Sequence, residues 1–459
     1  MLRQAGEEAD LLGEGVLMEM KLPEGVRRII AELSAHGHEA YVVGGCVRDS
    51  LLGRPAHDWD ITTSATPQEV KTCFRRTIDT GIQHGTVTVM LGKMGYEVTT
   101  YRLDGIYEDA RHPKEVTFTS NLIEDLKRRD FTINAMAYNE SRGLVDVFGG
   151  QEDLTQGVIR CVGDPCERFT EDALRMLRAV RFSAQLGFMI EEGTKEAIRQ
   201  LSPTIAKISA ERIREELMKL LVSEHPEELR AVYELGLTAV FLPEFDRMME
   251  TPQNTPHHCY TVGEHTIHAV CGVPADPVLR VTMLFHDVAK PKCRTTDENG
   301  RDHFHGHPVE GQKMTEEILR RLKFDNATIT RVSRLVRWHD CRPELKAKSV
   351  RRAVNRMGED LYPDIFAVNR ADIRAQSDYH RQEKLAAVDS FERIYEEILA
   401  KGECFQLKDL AVNGNDLIAA GVKPGKEVGA TLHKLLDYVL EHPEDNVKEK
   451  LLQLVEGRE

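Results

Sequence analysis

The stretch from Val43 to Ile61, VGGCVRDSLLGRPAHDWDI, constrains the fold more than any other part of the chain. Tyr41 to Val43 predicts a short buried strand. Gly44 and Gly45 follow, and paired glycines let a backbone turn through angles closed to other residues and meet a phosphate with no Cβ in the way. Arg48 to Leu52 predicts a helix ended by Gly53. His57 to Ile61 predicts a second strand. Residues i and i+2 of a strand share a face, so Asp58 and Asp60 project together while Trp59 and Ile61 go to the other face. Two convergent carboxylates suit a hard divalent cation, above all Mg2+. A pair of such ions can activate an attacking hydroxyl and stabilise a departing pyrophosphate. A lone Asp-x-Asp reads as readily as a solvated strand edge. The full spaced pattern points to phosphoryl or nucleotidyl transfer from a nucleoside triphosphate.

This segment resembles the signature of the polymerase-beta-like nucleotidyltransferase superfamily. More narrowly, it is similar to the bacterial branch of CCA-adding tRNA nucleotidyltransferases and poly(A) polymerases. The resemblance implies Asp58 and Asp60 as catalytic Mg2+ ligands and Gly44, Gly45 and Arg48 as nucleotide-binding residues. Glu97, at the start of the strand-like run YEVTTY, is a candidate third carboxylate.

A second segment, LKRRDFTINAMAYN from Leu126 to Asn139, resembles the element that lies by the bound nucleotide in that family. The match implies that Arg129 and Asp130 distinguish ribose from deoxyribose, and a 2′-OH can indeed donate to one and accept from the other. DVFGGQEDL, with Gly149 and Gly150, resembles the family's hinge between head and neck.

A third segment, RFTEDALRMLRAVRFSAQLGF, predicts one helix with Thr170 as N-cap, a Phe169–Leu174 hydrophobic staple and Gly187 as terminator. Asp172, Arg175, Arg178 and Arg181 recur at intervals of three and share a helix surface. Its similarity to the family's Glu-Asp-x-x-Arg element implies that Asp172 and Arg175 read the incoming base. Arg178 and Arg181 would serve the triphosphate or orient the readers. The chemistry is coherent. Cytosine and adenine each offer an amino donor beside a ring-nitrogen acceptor, which an Asp acceptor next to an Arg donor complements. Uracil and guanine present the reverse and would leave buried groups unpaired, at about 1–3 kcal/mol each.

A fourth constellation lies further along: His265, His286 with Asp287, His303, His305 and His307, His339, and Asp372. Imidazole and carboxylate together suit several divalent metals. The ordered series resembles the HD phosphohydrolase superfamily, with Ala289 where many members have glycine before the lysine, here Lys290. That resemblance implies ligation of a divalent metal of unknown identity by His265, His286, Asp287 and Asp372, with His307 and His339 as further candidates.

The expected organisation is α+β: a small mixed α/β nucleotidyltransferase head over residues 22–147, then an almost entirely helical remainder. The latter divides into a neck for base and RNA binding (148–250), an HD region (251–380) and a helical tail that contacts tRNA (381–459). The polar run from Arg102 to Asn121 predicts a loop, a candidate for the element that shifts between C and A addition. The basic helix face from Lys348 to Arg356 could meet tRNA phosphates or simply be solvated. Nine cysteines without Cys-x-x-Cys pairs point to a reducing compartment, the cytoplasm, and away from a structural zinc site. The acidic N-terminus has no apolar h-region, and no apolar run is long enough to span a bilayer. A net charge of -14 is unusual for an RNA partner and requires the basic residues to gather on one surface.

The resemblance therefore implies template-independent addition of C, C and A to tRNA 3′ ends from CTP and ATP. The alternatives are a poly(A) polymerase, a specialised CC-adding enzyme, or, from another class, an HD-type phosphohydrolase acting on RNA ends. TIDTGIQHGTVTV after the Asp pair favours the CCA-adding form over the poly(A) polymerase.

Overall fold

The computed structural model describes residues 20–56, 58–104 and 116–456. The acidic N-terminal stretch, His57 and most of the expected loop, residues 105–115, lie outside the described residues. The chain divides into two compact units, one running to Pro243 and the other from Glu244. The expected head and nearly all of the expected neck fall in the first, and the expected HD region and tail in the second. No described helix is long and apolar enough to cross a membrane.

The first unit opens with α1 (Glu24–Ala35), whose Val26, Ile29, Ile30 and Leu33 recur at helical spacing and are buried. It continues through β1 (Ala40–Val43), α2 (Gly45–Leu51), β2 (Ile61–Thr63), α3 (Pro67–Cys73), β3 (Thr77–Gly81), β4 (Thr86–Leu91) and β5 (Met94–Thr100). Then come β6 (Arg102–Asp104), β7 (Val116–Phe118), α4 (Leu122–Lys127), β8 (Ala137–Asn139) and β9 (Gly143–Val145). Seven of these strands form one mixed sheet in the order β3-β4-β5-β2-β1-β8-β9. The β2–β5 pair is parallel, with Ile61 beside Val98, and the other neighbours are antiparallel. All four β1 residues are buried, as expected of YVV in the middle of a sheet. β6 and β7 pair antiparallel, so the ends of the expected Arg102–Asn121 loop are strand, not loop.

Three local expectations need correction. The strand predicted for HDWDI begins only at Ile61, although Val43 N still donates to Asp60 O at 3.0 Å. The helix predicted from Arg48 starts at Gly45, because Gly44 takes φ +80° and ψ -132° and turns the chain directly out of β1. The single helix predicted around Thr170 is two helices: α6 (Pro165–Glu171) and α7 (Leu174–Leu186), after α5 (Gly150–Gln156) and β10 (Val158–Ile159). Asp164 caps α6 by accepting from Glu167 N, and Thr170 sits in the last turn with its hydroxyl donating to Cys166 O. Asp172 breaks the run. Its backbone is extended (φ -141°, ψ 103°) and its carboxylate accepts from Leu174 N at 3.0 Å, a side-chain bond that competes with helix continuation. Gly187 does end α7, in the left-handed conformation.

The rest of this unit comprises β11 (Met189–Ile190), which pairs with β10, then α8 (Glu192–Leu201), α9 (Ala210–Leu221), α10 (Leu229–Glu234) and α11 (Thr238–Phe241). At the expected hinge, Gly149 is left-handed and a Cβ on Gly150 would meet Thr132 O at 2.5 Å. Close packing thus accounts for Gly150.

The second unit is helical apart from one short ribbon. After α12 (Pro243–Glu250), its site-bearing elements are α13 (Val262–Cys271), α14 (Pro277–Phe285), α15 (Lys290–Cys293), the ribbon β12 (Thr295–Thr296) with β13 (Asp302–His303), α16 (His307–Arg321) and α17 (Asn326–Trp338). Thr261, Asp276 and Asp325 cap α13, α14 and α17 by accepting first-turn amides. α18 (Ala347–Met357), α19 (Tyr362–Ala375) and α20 (Arg381–Ala400) surround an aromatic core in which Tyr362 stacks on Tyr395 at 4.7 Å. In α18, Arg351 is buried against Glu403, and Lys348 and Arg352 pair with Glu441. Those cations serve helix packing. The tail core is aliphatic, built on Leu417, Leu435, Leu436, Val439 and Leu451.

Candidate active site

The end of β1 and the start of β2 lie side by side, so the glycine turn and the two aspartates open into one cleft. Gly44, Gly45, Arg48, Asp58, Asp60, Arg129, Asp130, Asn134, Arg178, Arg181, Phe182 and Lys219 line a cavity of about 530 Å³. Nine of these are expected site residues brought together from distant sequence. Crowding by the wall pushes the Asp60 carboxyl above the usual carboxylate range. Arg129 opposes that shift, and the charge of Asp58 adds to it. A carboxylate whose ionisation is opposed by a like-charged neighbour belongs to a site whose repulsion a divalent cation relieves. Glu97 belongs to the same region. The β2–β5 register sets it next to Asp60, and Glu97, Asp58 and Asp60 share a second cavity.

The cations of the cleft are held in a network rather than left to solvent. Asp130 is 8% exposed and receives Arg178 through Nε at 2.9 Å and a terminal nitrogen at 2.6 Å. Burial pushes the Asp130 carboxyl up, but the charges of Arg178 and Arg175, with hydrogen bonds from Arg178 and Asn134, outweigh it and the pKa is lowered. Burial pulls Arg178 down, and the charges of Asp130 and Glu216 more than offset that. Asn134 donates to Asp130 and accepts from Arg48 at 2.8 Å, linking α2 to α7. Arg181 pairs with Glu216 at 2.8 Å and lies 3.6 Å over the Phe182 ring; burial lowers it to about 10. Arg128, next to Arg129 in sequence, is turned to buried Asp125. Gly44 is required twice, by its positive φ and because Arg129 Nη1 lies 3.2 Å from where a Cβ would stand.

Asp172 and Arg175 stand apart from this cavity wall and do not bond each other through side chains. Asp172 pairs with Arg212 at 2.7 Å. Arg175 pairs with Glu171 at 2.6 Å and donates to the carbonyls of Arg168 and Arg128. Sequence reasoning missed Asn134, Arg212, Glu216 and Phe182. The fragment AERIREE around Arg212 and Glu216 looks like an ordinary charged helix, and only the i,i+4 spacing of those two hinted at a shared face.

In the second unit, His265 (α13), His286 and Asp287 (after α14), His307 (α16), His339 (after α17) and Asp372 (α19) converge. Nδ1 of His265, His286, His307 and His339 donates to the carbonyl of Ala375, Met283, Phe304 and Val336, respectively. With Nδ1 committed as donor, each ring in its neutral form turns an Nε2 lone pair into the cluster. Those lone pairs face one another: His265 Nε2 is 3.1 Å from His286 Nε2, and His307 Nε2 is 3.3 Å from His339 Nε2. Asp287 lies between, Oδ2 within 3.4 Å of the first pair and Oδ1 within 3.6 Å of the second. His265, His286 and Asp287 form one candidate ligand set, and Asp287, His307 and His339 another. Asp372 Oδ1 is 3.1 Å from His265 Nε2. Burial, then the charge of His286, pushes His339 down to about 3, the neutral form a metal needs. Lys290 reaches Asp287 at 2.7 Å and Gln253 at 2.8 Å. His303 and His305 stack on each other at the rim of the cavity over this cluster.

Three family models match the chain: "Poly A polymerase head domain" over residues 40–160, "Probable RNA and SrmB- binding site of polymerase A" over 187–249, and "tRNA nucleotidyltransferase domain 2 putative" over 309–455. The third covers His339 and Asp372, while His265, His286 and Asp287 fall between the matched segments. The Lactiplantibacillus plantarum CCA-adding enzyme is 51% identical over 49% of this chain and 54% of its own length, about half of that relative. Nearly the whole chain aligns with others. The Limosilactobacillus fermentum CCA-adding enzyme is 38% identical over 94% of this chain and 96% of its own length, and the Lactobacillus helveticus one 35% identical over 93% and 95%. The crystal structure of the Bacillus stearothermophilus CCA-adding enzyme in complex with CTP superposes with a TM-score of 0.70 at 31% identity, covering 96% of this chain and 98% of that one. With the carboxylate pair, the glycine turn and the arginine cleft in one place, and full-length likeness to such relatives, the chain belongs to the CCA-adding enzyme family.

Proposed function

We propose that the protein adds C, C and A without a template to the 3′ end of tRNA, using CTP and ATP and releasing pyrophosphate. The carrying observation is the single cleft in which Asp58 and Asp60 face Gly44, Gly45 and a cluster of arginines. Asp58 and Asp60, with Glu97 beside them, would hold Mg2+, which when bound supplies Lewis-acid polarisation of the phosphate and a more acidic attacking hydroxyl. Gly44 and Gly45 bring backbone amides up to the triphosphate, and Arg48, Arg178 and Arg181 neutralise it. Arg129, beside Asp60, and Asp130 bear on the ribose. Asp172 and Arg175 read the base by the donor–acceptor match given above. To do so, Arg175 exchanges Glu171 and Asp172 loosens from Arg212. The head model alone is shared with poly(A) polymerases, and the full-length CCA-adding relatives support the tRNA reading. The nine cysteines, all unpaired, support the cytoplasm as its compartment. Incubating pure protein with tRNA lacking its CCA end, with each NTP alone and together, and sequencing the products tests the proposal. CCA ends from CTP plus ATP support it. CC ends alone or A tails point to the two sister activities.

A second activity, metal-dependent hydrolysis of a phosphoester, is supported by the facing imidazole lone pairs. Two lone pairs at 3.1 Å repel unless a proton or a metal ion lies between them. His265, His286, Asp287 and Asp372 would hold a divalent metal, with His307 and His339 on the far oxygen of Asp287. When bound, such a metal supplies an acidified water. Lys290 and Arg342 at the same cavity would hold a phosphate against it.

A further inference from the structure

The Asp58–Asp60 pair is bordered by two cavities, and only one has been given a role. On one side lies the arginine-lined cleft of Gly44, Arg48 and Arg178. On the other, Pro23, Trp59, Met94, Gly95, Tyr96 and Glu97 share the two aspartates in a cavity of about 720 Å³. Tyr96 also borders a third cavity, of about 930 Å³, which carries Arg28, Arg75 and Arg76. The sheet explains this continuity. Asp60 precedes β2, Tyr96 and Glu97 lie near the start of parallel β5, Met90 and Leu91 end antiparallel β4, and Arg75 and Arg76 precede β3. All four strand ends therefore lie along one end of the sheet. Strands repeat every ~4.8 Å, so the row from Asp60 to Arg76 spans roughly 14 Å.

We propose that the Trp59–Tyr96 cavity seats the 3′-terminal nucleotide of the RNA, and that Arg28, Arg75 and Arg76 grip the phosphates behind it. The inference rests on the nucleotidyltransferase reading of the cleft. In phosphoryl transfer the attacking and leaving oxygens stand roughly in line. With the triphosphate cradled on the glycine–arginine side, the attacking hydroxyl must arrive from the opposite side of the aspartates. That side is where the lining changes character, from clustered cations to two aromatic rings beside Glu97. Aromatic faces hold bases of any sequence, as is needed where the terminal base is first the tRNA's own and then C and C. Beyond the rings, Arg28, Arg75 and Arg76 are exposed and have no ion pair with a described residue, unlike most arginines of this unit. Glu24 and Glu32 line the same cavity, so the cationic surface is confined to those three side chains. Gly25 is needed here because the Tyr96 ring fills the space a Cβ would take.

Steady-state kinetics on tRNA lacking its CCA end separate this site from the nucleotide cleft. Trp59→Ala and Tyr96→Ala should each raise KM for tRNA about tenfold. KM for CTP should stay within about twofold. Trp59→Phe and Tyr96→Phe, which keep a stacking face, should recover most of the loss. The surface pair Arg75→Gln with Arg76→Gln should reduce the slope of log(kcat/KM) for tRNA against log salt by about one to two, as expected for two lost phosphate contacts. Unchanged tRNA KM in both alanine variants, or an equal rise in KM for CTP, would overturn the proposal. An unmodified protein that adds no nucleotide to any RNA would instead overturn the underlying reading of the cleft.

Discussion

The chain gathers candidate metal-binding side chains in two places, and they are built in opposite ways. In the head, Asp58 and Asp60 come from one short segment and stand exposed at a sheet end. In the second unit, His265 and His286 are fully buried, Asp287 is 1% exposed, and the candidate ligands, from His265 in α13 to Asp372 in α19, are spread over more than a hundred residues of sequence. The exposed pair can admit a polymer end and a nucleotide together, and its negative charge calls for a divalent cation to balance it. The buried set holds its tautomers through four backbone carbonyls and is part of the core it sits in. A catalytic site of the first kind is cheap in stability and decisive for activity. One of the second kind is costly to disturb whether or not it turns anything over.

The sharpest way to break that contrast is to remove one group from each. Asp58→Ala or Asp60→Ala should cut nucleotide addition by about 10³-fold or more, roughly 4 kcal/mol of barrier. Melting should shift little, by about 0.5 kcal/mol, because both residues are exposed. Substantial addition by either pure variant would remove it from the set of essential ligands. His286→Ala with Asp287→Ala should do the reverse. Breaking a buried charge cluster costs about 3–5 kcal/mol of stability, bound metal and any phosphatase activity should vanish, and CCA addition measured below the melting transition should stay near the unmodified rate. Equal metal content in both proteins by elemental analysis would refute the ligand assignment.

Smaller effects sharpen the picture within the head. Asp172→Ala or Arg175→Ala should lower CTP-over-UTP preference by about tenfold, on the scale of about 1–3 kcal/mol for an unmatched buried hydrogen bond. Preference kept at the starting level in both would show that these residues hold Arg212 and Glu171 and nothing more. Asp130→Asn is expected to cost about 1 kcal/mol at neutral pH through its lost bond to Arg178. The sign with pH follows from the lowered carboxyl of Asp130. A depressed acid stabilises the fold above its unfolded pKa of about 3.9 and loses that contribution as pH falls toward its folded value. The two proteins should therefore converge in melting temperature below about pH 4. A gap that stays constant with pH would assign the loss to packing.

How much of this was legible depended on how local the cause was. That Gly44, Gly45, Asp58 and Asp60 meet in one cleft could be read directly, because a buried strand, a glycine turn and a helix follow one another within one segment, even though the next strand begins only at Ile61. The Asp172 break could not. Its cause is a carboxylate bonded to Leu174 N and to Arg212, and the arginine lies forty residues away. β8 was hidden in the apolar run FTINAMAYN, which carries neither helical nor strand periodicity because both its faces are buried beside β1. The histidine series was visible as a series, but the bridging position of Asp287 between two imidazole pairs is a property of four helices together. The expected base-reading pair shows the opposite limit: the motif is plain in sequence, yet its side chains here are held by Glu171 and Arg212.

The gathering of Arg48, Arg129, Arg178, Arg181 and Lys219 into one cleft, on a chain of net charge -14, bears on how RNA finds this protein. At cellular ionic strength charges are felt over only about 8 Å. A polyanion drifting near most of the surface meets repulsion or nothing, and meets attraction only at close range to the cleft and to Arg28, Arg75 and Arg76 beyond it. Collisions that arrive wrongly are shed quickly, and RNA that presents no 3′ end to the cleft competes poorly. The cost is a slower first encounter than a basic protein would enjoy, and the gain is a search that is rarely trapped.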